Sequence, residues 1–343
     1  MTNDYGSGLL DARGRPLRDL RISLTDRCNF RCVYCMPRET FGPDHAFLTS
    51  DRLLSFDEIE RITRASMRLG VRKVRLTGGE PLLRDDIETL IASLKKLDGL
   101  EVAMTTNGAL LGDRAVALAR AGLDRVTVSL DSTDPETFRR MSDTRVPVAR
   151  VLGSIDAAAA AGLGPVKVNV VVRRGVNENS VLDLARTFRR SPVTVRFIEY
   201  MDVGSTNRWQ HDQVIGAAEI ASTIGAEFPL EPVPPRYAGE VARRYRYLDG
   251  GGEFGIIASV TRPFCGDCTR ARLSADGQVY TCLFAGSGTD LRALIRSGAD
   301  DDAIENTLRR LWSARSDRYS ELRSHSADES PIGPRVEMSY IGG

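Results

Sequence analysis

Leu20, Ile22 and Leu24 alternate with Arg21, Ser23 and Thr25, which predicts a first strand with two unlike faces. Residues 1–17 before it are polar and Gly-rich and read as a flexible N-terminal arm. Residues 39–52 carry no period and read as an irregular loop. Ser55 is then placed to cap a helix over 56–69, with Glu58 set for a capping box and Gly70 as the stop. Val71 to Thr77 predicts a second strand, broken by Gly78-Gly79-Glu80-Pro81. A helix near 84–97, a strand from Leu100 to Thr106, the Asn107-Gly108 turn and a helix near 110–121 follow. Arg125 to Leu130 is a fourth strand, and one helical stretch after it ends in the alanine run 157–161. Val166 to Val172, a helix near 178–190 and Val193 to Tyr200 complete the series.

Strand then helix, repeated every ~30 residues, is the pattern of βα units around a parallel sheet. Six units fall short of the eight that close a barrel. Periodicity alone equally allows an open doubly wound sheet. Residues 229–236, Pro-Leu-Glu-Pro-Val-Pro-Pro-Arg, cannot continue a helix or a central strand, so a boundary is placed there. The regions are then 1–17, 18–230 and 231–343, the last with short strand-like runs and helices near 289–297 and 301–315.

Strands covered on both faces should be apolar throughout. Here one face carries Lys73, Arg75 and Thr77, another Thr127 and Ser129, another Lys167 and Asn169. Turned inward, these faces make a cationic interior, and unpaired buried charge costs several kcal/mol unless an anion is bound. Turned outward, they mark solvated edges. A one-residue slip exchanges the two.

Composition narrows the classes. The formal net charge is +1 over 343 residues, which argues against a dedicated nucleic-acid binder. Only Lys73, Lys95, Lys96 and Lys167 among the 47 basic residues are lysines, so single arginines say little and an isolated lysine says more. No stretch is long and apolar enough for a membrane span or a leader, and a cytoplasmic location is expected.

The six cysteines form two groups, Cys28-x3-Cys32-x2-Cys35 and Cys265-x2-Cys268-x13-Cys282. A chain of this size needs no disulfide staples, so the thiols are read as metal ligands. Three thiolates leave one corner of a cubane cluster open, since such a cluster takes four. Zinc knuckles or ribbons short of one ligand are the alternatives, with His45 near the first group and no histidine near the second. Asp276-Gly277 is a hairpin signal that returns Cys282 towards Cys268. A two-residue loop sets Cys282 opposite Ala271, and a three-residue loop sets it opposite Arg270.

The run Leu20-Arg21-Ile22-Ser23-Leu24-Thr25-Asp26-Arg27-Cys28-Asn29-Phe30-Arg31-Cys32-Val33-Tyr34-Cys35-Met36-Pro37 resembles the radical S-adenosylmethionine (SAM) signature, and within that superfamily the GTP 3′,8-cyclase family of molybdenum cofactor biosynthesis. The resemblance covers most of residues 18–343. It implies a partial (β/α)6 TIM-like barrel closed by a C-terminal region, two [4Fe-4S] clusters, and SAM bound at the open iron of the first. It implies that an adenosyl radical takes the 3′-hydrogen of GTP and that the ribose radical attacks C8 of guanine. It assigns Cys28, Cys32, Cys35, Cys265, Cys268 and Cys282 to metal and Tyr34, Gly79, Ser129 and Met201 to SAM. It assigns Arg21, Lys73, Arg75, Thr106, Lys167, Arg196, Arg270, Ala271 and Arg272 to GTP. Arg21, Arg270, Arg272 and the terminal Gly342-Gly343 would take part in catalysis. The implied partners are a low-potential donor of flavodoxin or ferredoxin type and a downstream cyclic pyranopterin monophosphate synthase; a homodimer is compatible, and neither nucleic acid nor membrane is expected. The rivals are a radical SAM peptide-modifying enzyme and a metal-bearing nucleic-acid regulator.

Overall fold

The computed structural model describes residues 8–237, 239–323 and 335–342. In chain order these form β1 (Asp19–Ser23), α1 (Phe56–Arg68), β2 (Lys73–Thr77), α2 (Ile87–Leu94), β3 (Glu101–Thr106), α3 (Leu111–Arg120), β4 (Arg125–Ser129), α4 (Pro135–Ser142), α5 (Val148–Ala160), β5 (Lys167–Val172), α6 (Ser180–Phe188) and β6 (Thr194–Glu199). The second part holds α7 (Ala217–Gly225), β7 (Leu230–Val233), β8 (Arg243–Tyr247), β9 (Glu253–Ile257), β10 (Arg270–Leu273), β11 (Gln278–Tyr280), β12 (Thr289–Asp290), α8 (Leu291–Arg296), α9 (Asp301–Ser313), α10 (Tyr319–Arg323) and α11 (Met338–Ile341).

The described strands make one sheet in the order β12-β11-β10-β1-β2-β3-β4-β5-β6-β9-β8-β7. Strands β1 to β6 are parallel neighbours in sequence order, as the six units require. Two strands of the C-terminal part extend the parallel wall: β10 beside β1 and β9 beside β6. The sheet stays unpaired between β9 and β10, so the architecture is a partial barrel. The segment joining those two strands carries Cys265 and Cys268. The Pro-rich boundary is itself the edge strand β7, where Pro232 is tolerated. Both sides of that boundary share the sheet. Among the described residues no helix is long and apolar enough to cross a membrane.

Local chemistry explains the elements. The Ser55 hydroxyl accepts from Glu58 N at 3.1 Å while the Glu58 carboxylate accepts from Ser55 N at 2.7 Å, closing the capping box of α1. The single helix expected before the alanine run is two, α4 and α5. Asp143 ends α4 in a left-handed conformation (φ 41°), and Pro147 opens α5.

One parity of the parallel strands, including Leu20, Ile22, Val74, Leu76, Val102, Met104, Val126, Val128, Val168, Val170 and Phe197, packs in the buried apolar core under the helices. The other parity faces inward. Aligned across the strands there are Arg272, Arg21 and Arg75, then Ser129, Asn169 and Arg196.

The reading of 1–17 as a loose arm is corrected for residues 8–17. Leu10 bridges Pro16, Leu9 N donates to Leu69 O, and the Trp312 indole donates to Arg15 O at 3.1 Å. Asp11 and Arg15 are buried, and Arg15 Nε donates to Asp11 Oδ2 at 2.6 Å.

Candidate active site

The first cysteine loop leaves the C-terminal end of β1 and is held by the chain around it. Gly79 N donates to Thr25 O and Glu80 N to Arg27 O, both at 2.8 Å. A Cβ on Gly78 (φ 137°) would stand 2.5 Å from Thr25 O, and one on Gly79 would overlap Arg27 O. Backbone of the cysteine loop packed against both positions leaves room for glycine alone. Arg31 donates to the carbonyls of Cys28 (2.7 Å), Phe30 (2.8 Å) and Phe41 (2.7 Å). The Asn107 amide donates to Asn29 Oδ1 at 2.7 Å and lies 3.8 Å from Cys28 Sγ.

Two buried carboxylates brace this end. Glu80 accepts from Leu82 N (3.0 Å), Asn107 N and Thr106 Oγ1 (both 2.8 Å), which ties the ends of β2 and β3 together. Burial pushes its carboxyl up to about 7 against those hydrogen bonds. Asp131 accepts from the Tyr34 hydroxyl and from Val171 N, each at 2.8 Å, and burial pushes it up to about 6. Burial also drives the Cys28 thiol up to about 11 and raises Cys32 and Cys35. Three thiolates there need positive charge among them.

The second group sits in the turn Cys265–Asp267 and on the β10–β11 hairpin. Ser274 N donates to Gln278 O, closing a three-residue loop in which Gly277 takes φ 87°. Arg272 pairs with Tyr280, and extending that register sets Cys282 across from Arg270. The Arg270 guanidinium lies 3.6 Å from Cys268 Sγ. Burial pushes the Cys268 thiol up, but the cations of Arg270 and Arg315 outweigh it and bring the group down to about 6. Burial, with Asp317 and the neighbouring thiols adding to it, sends Cys282 up to about 11.

All six cysteines are free thiols and line one cavity of about 300 Å³. Among the described residues no three Cys, His, Asp or Glu side chains converge on one point as a single ion requires. Three cysteine thiols on the loop after β1 are a donor set that an iron–sulfur cluster uses.

Arg21, Arg75, Arg196, Arg270 and Arg272 line the same cavity. Among the described residues none of the five has a carboxylate within ion-pair distance. Arg75 donates to Thr105 Oγ1 and Thr127 Oγ1 at 3.2 and 3.3 Å. Among the described residues Arg196 reaches only Thr127 Oγ1 at 3.4 Å, and its buried Nε finds no partner there, nor does Asn169 Oδ1. Burial lowers Arg196 to about 9 and Arg272 to about 10. It also lowers Arg21, with Arg272, Arg270 and Arg75 adding to the effect.

The other anticipated residues are placed as follows. Tyr34, Gly79, Thr106, Ser129 and Met201 line the cavity. Lys167 borders a small recess on the far side of Arg196, and burial with Arg196 beside it lowers the amine to about 7. Lys73 is outside the cavity wall and paired with Asp19 at 2.9 Å. The Ala271 side chain packs in the apolar core, so only its backbone is available to a ligand. The tail enters the cavity through Met338 and Ser339, and the Arg272 guanidinium donates to Gly342 O. Gly343 lies outside the described residues. Sequence reasoning missed Arg15, Arg315, Asn107 and Asn169, which also line the cavity. Of these, only Asn169 carried a signal, as a polar residue on the face of Lys167.

Comparison with known proteins agrees with this geometry. The family model described as Radical SAM superfamily matches residues 22–188, and that described as Molybdenum Cofactor Synthesis C matches residues 193–321. A GTP 3′,8-cyclase of Acidothermus cellulolyticus is 55% identical, covering 97% of this chain and 98% of its own. One of Xanthomonas axonopodis pv. citri is 52% identical over the same shares. Streptococcus suis SuiB bound to S-adenosylmethionine, 14% identical, superposes with a TM-score of 0.61 over 85% of this chain and 68% of that one, which marks a common fold. Fold, cysteine placement and full-length similarity together make this chain a member of the GTP 3′,8-cyclase family of the radical SAM superfamily.

Proposed function

We propose that the chain converts GTP to (8S)-3′,8-cyclo-7,8-dihydroguanosine 5′-triphosphate, the first step of molybdenum cofactor biosynthesis. The observation that carries this reading is one cavity holding both cysteine triads and five arginines without carboxylate partners among the described residues. SAM and an iron–sulfur cluster are its cofactors. The finer reading is two [4Fe-4S] clusters, on Cys28/Cys32/Cys35 and on Cys265/Cys268/Cys282. Cys28, Cys32 and Cys35 would hold the first cluster, which when bound would supply one-electron reductive cleavage of SAM.

The protein's work is placement and shielding. Tyr34, Gly79, Ser129 and Met201 border the space beside the first triad and face SAM. Arg75 and Arg196, with Lys167 behind them, draw the triphosphate to the far wall, where guanidinium forks suit phosphate oxygens. Thr106 works through Glu80, to which its hydroxyl is committed. Lys73, outside the cavity wall, offsets Asp19. Arg21, Arg270 and Arg272 flank the guanine and ribose, the Ala271 backbone lies between the last two, and Gly342 closes over them. A wall so cationic favours a triphosphate over a peptide. A flavodoxin- or ferredoxin-type donor, a downstream cyclic pyranopterin monophosphate synthase, a homodimer and a cytoplasmic location complete the proposal.

The test is anaerobic reconstitution, then incubation with GTP, SAM and reductant and mass analysis of the products. A cyclised nucleoside triphosphate formed with 5′-deoxyadenosine is expected. Only one cubane per chain, or SAM cleavage that GTP does not influence, would reject it.

A further inference from the structure

We infer that Asp11, Arg15 and Arg315 form a buried brace that positions the second cysteine triad, with Arg15 also donating a hydrogen bond to the group those thiolates hold. The inference rests on the two-cluster reading above. Asp11 Oδ2 accepts from Arg15 Nε at 2.6 Å and from Arg315 Nη1 at 3.1 Å, and these side chains are 0%, 2% and 2% exposed. The two guanidiniums then reach every strand of the triad. Arg15 Nη1 donates to Cys265 O at 2.7 Å. Arg315 Nη1 donates to Cys268 O at 2.8 Å, and its Nε donates at 3.0 Å to the carbonyl of Thr281, next to Cys282.

The charges at this point are unequal. Two buried guanidiniums share one buried carboxylate, while Asp317, 3.5 Å from Arg315 Nε, is a third exposed. Arg15 Nη2 is buried with no partner, although Arg15 borders the cavity beside Cys265 and Cys268. A buried, unsatisfied cationic donor is costly unless an acceptor arrives. Sulfur ligated to metal is such an acceptor, and donors to sulfur with positive charge nearby favour the reduced state and raise the potential. Arg15 and Arg315 are therefore positioning residues, acting through the loop carbonyls and through this one donor.

The experiment compares Arg15→Met and Arg15→Lys in a full chain that also carries Cys28→Ser, Cys32→Ser and Cys35→Ser, so that only the second centre loads. Iron and sulfide content, the reduced-state EPR signal and the midpoint potential are read against the parent. For Arg15→Met we expect a more negative midpoint with an altered EPR signal, or loss of the centre from a folded chain. For Arg15→Lys the midpoint should be displaced less. Should Arg15→Met not fold, Arg15→Lys and Asp11→Asn are read in the same way. An unchanged midpoint and signal at full iron content would overturn the brace and leave the cyclase reading intact. A parent that loads no second centre would overturn both.

Discussion

The Arg272 guanidinium donates to the main-chain carbonyl of Gly342, so a side chain on β10 and the end of the chain meet inside the barrel. Gly342 sits against Thr77 at φ 74°, and a Cβ there would overlap Thr77 Oγ1. Gly342→Ala should therefore displace the tail while both metal centres assemble. Misplacement of this order near reacting atoms costs about 100-fold in rate. Turnover against iron content checks it.

Glu337 and Tyr340 are among the residues that tie the tail down. Glu337 accepts from Ser205 N at 2.9 Å and Thr206 Oγ1 at 3.0 Å, and the Tyr340 hydroxyl donates to Asp276 Oδ1 at 2.5 Å. Glu337→Ala should weaken docking by about 1–3 kcal/mol. Amide exchange across 335–342 should quicken while the melting temperature of the whole chain stays put.

Arg196 opposes stability and function to each other. Without ligand it is a buried cation with an unpartnered Nε. Arg196→Met should leave the ligand-free chain as stable or more so, by up to about 4 kcal/mol. The same change should weaken GTP binding by at least about 10-fold, since a desolvated charge contact is lost. Denaturant melts and GTP titration of one preparation test both signs.

Lys167 predicts a pH dependence. Its amine, near 10.5 when unfolded, is lowered to about 7 in the fold. Between those values the unfolded chain binds the extra proton, so stability of the ligand-free chain should climb as pH rises from about 7 to about 10. The penalty is fully present below about 7. GTP binding should run the other way, weakening above about pH 7 as the ammonium is lost. Lys167→Met should flatten the stability trend, and Lys167→Arg the binding trend.

Gly79 separates a backbone role from a ligand role. A Cβ there overlaps Arg27 O, so Gly79→Ala should shift the loop carrying Cys28. Reconstituted chains should then lose the first centre and keep the second, halving the iron. Full iron with weaker SAM binding would mean that the contact with ligand dominates.

Much of this was legible from alternation and spacing. Leu20, Ile22 and Leu24 marked one face and Arg21 with Arg75 the other, but alternation left open which turned inward; the apolar face packs under the helices and the two arginines line the cavity. Lys73 shared that parity but sits low on the strand, where Asp19 reaches it, and parity does not report depth along a barrel. Ala271 followed its arginine neighbours in a matched stretch, yet strand alternation sends it to the core. The hairpin register depended on whether Gly277 ends a two- or three-residue loop, which the Ser274 N to Gln278 O bond and the Arg272–Tyr280 pairing decide. Asp11 and Arg15 looked like a polar arm because nothing local reveals a partner 300 residues away, Arg315. The flanking places of β9 and β10 were equally hidden, since short strands of ordinary composition do not announce their neighbours.

The pairing of β1 with β10 joins residues 19–22 to residues 270–273. During synthesis the first strand must wait, its outer edge bare, until most of the polypeptide has left the ribosome. Metal loading of the early thiols and completion of the wall beside them are thus separated in time. A truncated or stalled chain would display oxidisable sulfur and an unpaired edge together, which makes partial products of this gene natural targets for proteolysis.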